Sequence, residues 1–235
     1  VFNAALGQAF FSLSLGMGAM MTYASYLDKK GNLGRDAATV ALSDFAIAFI
    51  AGLVVFPVVF SFGLQGEVGA SAVGALFIAL PKGFASMGAA GAAVDTAFFV
   101  MLFLAALTSA ISLLEVVVAA AMDVLGWSRR RVTLVFGLII ALCGLPSAYS
   151  TEFLGHLDAI VGDFLLVVGG FFTALLVGWK ILPQADAELA SGLPVPAVRR
   201  VWAFLVRYIV PAALLIVLWF TLPKTWEAAK GLFGA

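Results

Sequence analysis

Apolar residues in this chain come in long runs, and polar residues gather between them. A helix needs about 20 mostly apolar residues to cross the hydrocarbon core of a bilayer. Six stretches reach that length, roughly 2–27, 37–64, 95–122, 131–149, 158–181 and 200–221, and predict about six spanning helices. Between the second and third lies VGALFIALPKGFASMGAAG (73–91), too short to span and cut by Pro81. It predicts a re-entrant or capping hairpin over about 68–92. Residues 182–199, including DAELASGLP (186–194), read as a linker, and LPKTWEAAKGLFGA (222–235) as a short amphipathic tail after the last span.

Composition agrees with an all-α polytopic membrane protein whose main partner is the lipid bilayer. The chain is 63% hydrophobic and 11% charged, with a mean hydropathy of +1.12, whereas a soluble domain carries about a quarter charged residues. A net charge of zero gives no reason to expect a nucleic-acid partner. One cysteine, Cys143, and one histidine, His156, leave no disulfide framework and no Cys- or His-based metal cluster. They also leave no Ser–His or metal-ligand constellation for a membrane enzyme. Lys29, Lys30 and Arg35, then Arg129, Arg130 and Arg131, then Lys180, Arg199, Arg200 and Arg207 cluster at one side of the predicted spans, against Lys82, Lys224 and Lys230 at the other. Positive charge favours the cytoplasm, so the N-terminus of this chain is expected outside and 182–199 inside. The start, VFNAALGQAF, lacks an initiator Met and a basic n-region. It reads as a start in mid-protein, not as a signal peptide.

Polar groups within the spans carry the candidate chemistry. Asp44 lies about two turns into the second span, Glu115 deep in the third, and Asp158 and Asp163 near the outer end of the fifth. Glu115 is expected to hydrogen-bond a neighbouring helix. In AALTSAIS (105–112), Ala105, Thr108 and Ser109 stand at i, i+3 and i+4 and share a helical face. A carbonyl and two hydroxyls are hard oxygen ligands suited to a cation. Ser and Thr also back-bond to a preceding carbonyl or join helices, and spacing alone does not choose. The stretch SLSLGMG (12–18) has the same ambiguity. Its glycines suit close helix packing, or a broken helix whose freed carbonyls face a substrate and an ion.

The segment ALGQAFFSLSLGMGAMMTYASYL (5–27) resembles the sixth helix of the neurotransmitter:sodium symporter family, especially its bacterial amino-acid members. In order, SDFAIAFIAGLVVFP resembles the seventh helix, LPKGFASM the outer capping loop, FFVMLFLAALTSAISLLEVVVAAAMD the eighth helix and HLDAIVGDF the start of the tenth. The likeness covers nearly the whole chain and weakens beyond residue 181. It implies the second inverted repeat of a LeuT-like fold over 1–181 with a discontinuous first span, then the 182–199 cytoplasmic linker. One further spanning helix and a short tail would occupy 200–235. It also implies a broken helix at 12–16.

The resemblance assigns roles residue by residue. Phe11 would lid the substrate and serve as a gate with Asp158, whose arginine partner belongs to the family's first helix. Ser12 would touch substrate and bind the first sodium with Asp44, and Ser14 would meet the substrate amino group. Met17, Ser109 and Leu113 would line the pocket, and Ala105, Thr108 and Ser109 would hold a second sodium. Asp44 stands where many relatives carry an asparagine, and Ala48 where chloride-dependent members carry a serine. A carboxylate beside the ion can supply the negative charge that chloride gives elsewhere, so chloride is not expected to be required. The family's first five helices have no counterpart here, and the chain is expected to be the C-terminal half of a transporter, with the N-terminal half as its missing partner and each sodium site half-built. The expected activity is sodium-coupled symport of a neutral, hydrophobic amino acid by alternating access across the bacterial inner membrane. The rivals are a non-transporting scaffold or receptor subunit of the same fold, and a channel.

Overall fold

The computed structural model describes residues 2–27, 31–63, 75–190, 192–193 and 195–233. Lys29 and Lys30 of the predicted basic loop, and residues 68–74 of the predicted hairpin, lie outside the described residues. Nine helices follow one another among those described. They are α1 (Phe2–Ser12), α2 (Ala19–Ser25), α3 (Leu33–Ser61), α4 (Leu80–Ala85), α5 (Ala89–Leu125), α6 (Arg129–Tyr149), α7 (Thr151–Lys180), α8 (Leu182–Ala190) and α9 (Pro196–Leu232). No strand occurs among the described residues.

Five of these, α3, α5, α6, α7 and α9, are long and apolar enough to cross a membrane. The remaining expected span, the first at 2–27, is divided between α1 and α2, as a discontinuous helix requires. Two predicted boundaries move. The linker is mostly helical, because α8 occupies half of it and Arg199 donates to the Asp186 carboxylate at 3.0 Å and to its carbonyl at 3.2 Å. The expected separate tail is instead the last turns of α9, which runs on through Pro223. A proline there removes one helix hydrogen bond, and α7 holds the helix just beyond it. Lys224 pairs with Asp163, and Thr225 donates to Thr221 O at 3.0 Å and to Ala159 O at 3.4 Å. Pro81 likewise opens α4 at its first turn, where its missing N–H costs nothing.

The chain forms two compact units, residues 41–111 and residues 1–40 with 112–235. In the 41–111 unit, α4 and the π-turn before it (Ala75–Ala79) pack on the end of α3 through Val59, Ala79 and Val55. A Cβ on Gly83 would stand 2.6 Å from Val58 Cγ1, so a larger residue there would have to displace Val58. In the other unit Val167, Ala174, Leu214 and Val217 join α7 to α9, with Phe10 of α1 packed against them. Val118, Ala121 and Val132 join α5 to α6. Most large apolar side chains remain exposed, Phe45 (68%) and Phe103 (65%) among them, as suits a chain whose surroundings are lipid.

α7 and α9 are not regular throughout. α7 widens to π-helix at Asp158–Leu165 and at Leu176–Lys180, and α9 does so at Leu205–Ile209. Two of these wide turns face each other. A Cβ on Gly178 would meet Arg207 Cα at 2.9 Å, and Trp179 Nε1 donates to Arg207 O at 3.1 Å. The Arg207 guanidinium lies 4.8 Å from the Trp179 ring centre, a cation–π contact.

Candidate functional site

The break between α1 and α2 spans residues 13–18. Leu13 N–H bonds to Ala9 O (3.0 Å), Ser14 N–H to Phe11 O (3.0 Å) and Leu15 N–H to Phe10 O (2.9 Å). These are successively four-, three- and five-residue turns, so the helix unravels and then stops. Three residues then take left-handed backbone: Ser14 (φ 52), Gly16 (φ 81) and Gly18 (φ 82). A left-handed serine costs about 1–2 kcal/mol, a strain that clusters at functional sites. Gly18 O accepts both the backbone N–H (2.9 Å) and the hydroxyl (3.0 Å) of Thr22, which starts the next half. The carbonyls of residues 13–17 accept no backbone hydrogen bond from the described residues. Unmatched carbonyls at membrane depth are tolerated only against protein or a polar cavity.

The break has protein on one side and an open cleft on the other. On one side it rests on α7, where a Cβ on Gly16 would lie 2.1 Å from Leu166 O and one on Gly169 would lie 2.1 Å from Gly16 O. On the other it borders an open cleft of about 510 Å³ lined by Phe11, Gly16, Met17, Leu113, Asp158 and Leu166, with Leu154, Leu157, Val161, Gly162 and Leu165 completing the wall. The wall is apolar apart from Asp158 and the backbone of the break. The opening residue of the π-stretch is Asp158 itself, and a Cβ on Gly162 would stand 2.7 Å from its Oδ1.

Of the residues singled out from sequence, Phe11, Met17, Leu113 and Asp158 therefore come together on one cleft. Ser12 ends α1, and Ser14 lies within the break. Asp44 on α3 and Ala105, Thr108 and Ser109 on α5 belong to the 41–111 unit. There the Thr108 hydroxyl donates to Ala105 O at 2.8 Å. That bond is the back-bonding form of the oxygen face, and it holds a carbonyl and a hydroxyl side by side. A cation bound there would turn the hydroxyl proton outward.

Glu115 accepts from the Tyr26 hydroxyl at 2.7 Å and from Arg129 at 2.5 Å, joining the end of the broken helix to α5 and the start of α6. Sequence reading missed Tyr26 and Arg129 as its partners, Lys224 as the partner of Asp163, and Gly169 and Gly170 as the seat of the break. Only the glycine pair left a signal: VGGFF inside a spanning helix marks a place where another backbone approaches closely.

This fold recurs in known proteins. The family model of the sodium:neurotransmitter symporter family matches residues 1–230. The chain belongs to that family. An uncharacterized sodium-dependent transporter of Bacillus subtilis is 37% identical over 91% of this chain and 49% of its own length. One from Haemophilus influenzae is 30% identical over 90% of this chain and 48% of its own length. The sodium- and chloride-dependent glycine transporter 1 of Xenopus laevis is 28% identical over 94% of the chain and 37% of its own length. Among solved structures, MhsT in complex with L-phenylalanine superposes with a TM-score of 0.82 at 37% identity, covering 94% of this chain and 51% of MhsT. The fold is thus the LeuT-like transporter fold, and a symporter-family chain of this kind is not an enzyme. The chain spans about half the length of the curated relatives it matches first.

Proposed function

We propose that this chain is the C-terminal half of a sodium-coupled symporter of a neutral, hydrophobic amino acid, working by alternating access in the bacterial inner membrane with its basic loops in the cytoplasm. The observation that carries the reading is the break at 13–18, which presents unmatched carbonyls beside an apolar cleft. Carbonyl oxygens at the C-terminal end of a half-helix suit a cation or an ammonium group. An amino acid would place its amino group against that backbone and Ser14, touch Ser12, and lay its side chain among Phe11, Met17 and Leu113, with Ser109 closing the pocket. Phe11 and Asp158 would act as the outer gate. The absent N-terminal half would hold the substrate carboxylate, the arginine that meets Asp158, and the remaining sodium ligands. MhsT, whose crystal structure holds L-phenylalanine, supports an apolar side chain.

Two sodium sites are proposed. Ser12 and Asp44 contribute to the first, and Ala105 O, Thr108 and Ser109 to the second. Sodium drives uptake by linkage: ions that bind the outward-open state better than its alternatives shift the population toward the substrate-competent form. The carboxylate of Asp44 makes chloride unnecessary. The test is binding of radiolabelled leucine, tryptophan and alanine to the full-length protein in sodium or in choline. The expected result is sodium-dependent binding, strongest for the larger side chains and unaffected by excess glutamate or lysine. Equal binding without sodium would overturn the coupling, and displacement by glutamate or lysine would overturn the substrate class.

A further inference from the structure

We infer that Gly169 and Gly170 of α7 are positioning residues that set where the substrate-binding backbone lies. The inference rests on the reading of 12–18 as the substrate site. Four distances support it, three of them to backbone atoms. A Cβ on Gly16 would fall 2.1 Å from Leu166 O and 2.7 Å from Gly170 N; one on Gly169 would fall 2.1 Å from Gly16 O; and one on Gly170 would fall 2.4 Å from Phe10 Cε1. Carbon makes ordinary contacts at about 3.5–4.0 Å, so two main chains touch here with no side chain between them. The contact involves the segment with unmatched carbonyls, and it falls immediately after the π-stretch that begins at Asp158. The helix carrying the proposed gate is therefore also the platform that fixes the carbonyls of the break.

The two glycines differ in what an added methyl would meet. At 169 it meets a backbone oxygen that can yield only if the break moves by about 1 Å, and losing a hydrogen bond to a charged group through such a shift corresponds to about a ten- to hundredfold loss of affinity. At 170 it meets the rim of a side chain, which can be shortened. Alanine is otherwise the better helix former, so helix propensity alone would favour both substitutions. The experiment uses the full-length protein, with radiolabelled leucine as probe and thermal unfolding in detergent as a parallel measurement. Gly169→Ala should lower sodium-dependent affinity about ten- to hundredfold. Gly170→Ala should lower it about tenfold, and the double variant F10L/G170A should recover most of that loss. Gly144→Ala on α6, with nothing within 4 Å of its Cβ, should bind as wild type.

Wild-type affinity in both Gly169→Ala and Gly170→Ala would overturn the inference. So would a Gly170→Ala defect that follows its loss of thermal stability and is not recovered by Phe10→Leu. Absence of sodium-dependent binding in the wild type itself would instead overturn the functional reading beneath it.

Discussion

Truncating Leu214 to alanine tests what holds α9, α7 and α1 together. Leu214 is 2% exposed among Val167, Ala174 and Val217, and Phe10 packs on the same cluster, whereas its neighbour Leu215 is 52% exposed. In a soluble core, Leu→Ala costs about 2.7–5.0 kcal/mol, part lost transfer from water and part cavity. The three carbons removed account for about 2.4 kcal/mol of transfer at about 0.8 per carbon. In a bilayer the separated helix faces lipid tails, not water, so the transfer part vanishes and packing remains. Subtraction leaves about 0.3–2.6 kcal/mol for Leu214→Ala, and about zero for Leu215→Ala, which opens no cavity. Reversible unfolding of the full-length protein in mixed micelles, titrated with a denaturing detergent, measures both. A Leu214→Ala cost of 4–5 kcal/mol would mean that water, not lipid, sets the reference state. Equal costs for the two variants would mean that the α7–α9 core is not formed. Because Phe10 precedes the proposed lid Phe11, Leu214→Ala should also weaken leucine binding, while Leu215→Ala should not.

Other expectations follow from single features. Replacing chloride by gluconate should leave the initial rate of sodium-dependent uptake unchanged in the wild type, and a collapse of uptake would refute the role given to Asp44. Glu115→Gln removes the charge that gathers the Tyr26 hydroxyl and Arg129, so hydrogen exchange over residues 19–27 should accelerate; unchanged protection there would show that the clamp does not hold α2. Gly126 and Gly16 both have positive φ, 65 and 81, but only Gly16 has backbone within 3 Å of an added Cβ. Gly126→Ala should cost about 1–2 kcal/mol from the left-handed backbone alone, and Gly16→Ala distinctly more by thermal or detergent unfolding. Equal losses would remove the contact with α7 from the account.

How much of this could be read from the chain depended on the range of the interaction. Spans follow from local hydropathy, and all five long helices fall on expected runs, with α5 beginning at Ala89 where the sequence suggested about 95. Boundaries at Pro223 and in the linker shifted because α7 holds α9 through Lys224 and Thr225, and Arg199 holds α8 through Asp186; no local signal encodes such partners. In the candidate site, the break was visible as serines and glycines within an apolar run. Pattern alone left its meaning open, because glycine serves both close packing and unwinding; the family resemblance implied the unwinding, and the structure shows the glycines doing both. Gly16 is a left-handed residue and also the point of contact with α7. The π-stretches left no trace at all, since a widened turn changes hydrogen-bond register without changing composition.

The two uses of glycine belong to one physical requirement. A helix that opens in lipid exposes carbonyls, and each needs a polar partner or a cavity. At 13–18 the N–H groups of Leu13, Ser14 and Leu15 are absorbed by the unravelling turns. Among the described residues the carbonyls of 13–17 and the N–H groups of Gly16, Met17 and Gly18 make no backbone hydrogen bond, so the break leaves both acceptors and donors to be met. Packing against α7 at Gly169 shields part of it from lipid. Gly16 and Met17 of the break also line the cleft, whose wall is otherwise apolar apart from Asp158. The carbonyls that end α1 suit a positive charge, an ammonium group or a sodium ion, and the N–H groups that open α2 suit a negative one. Filling the site with such charges would therefore stabilise the same segment that binding organises. Occupancy by a cation and order in the break should rise together.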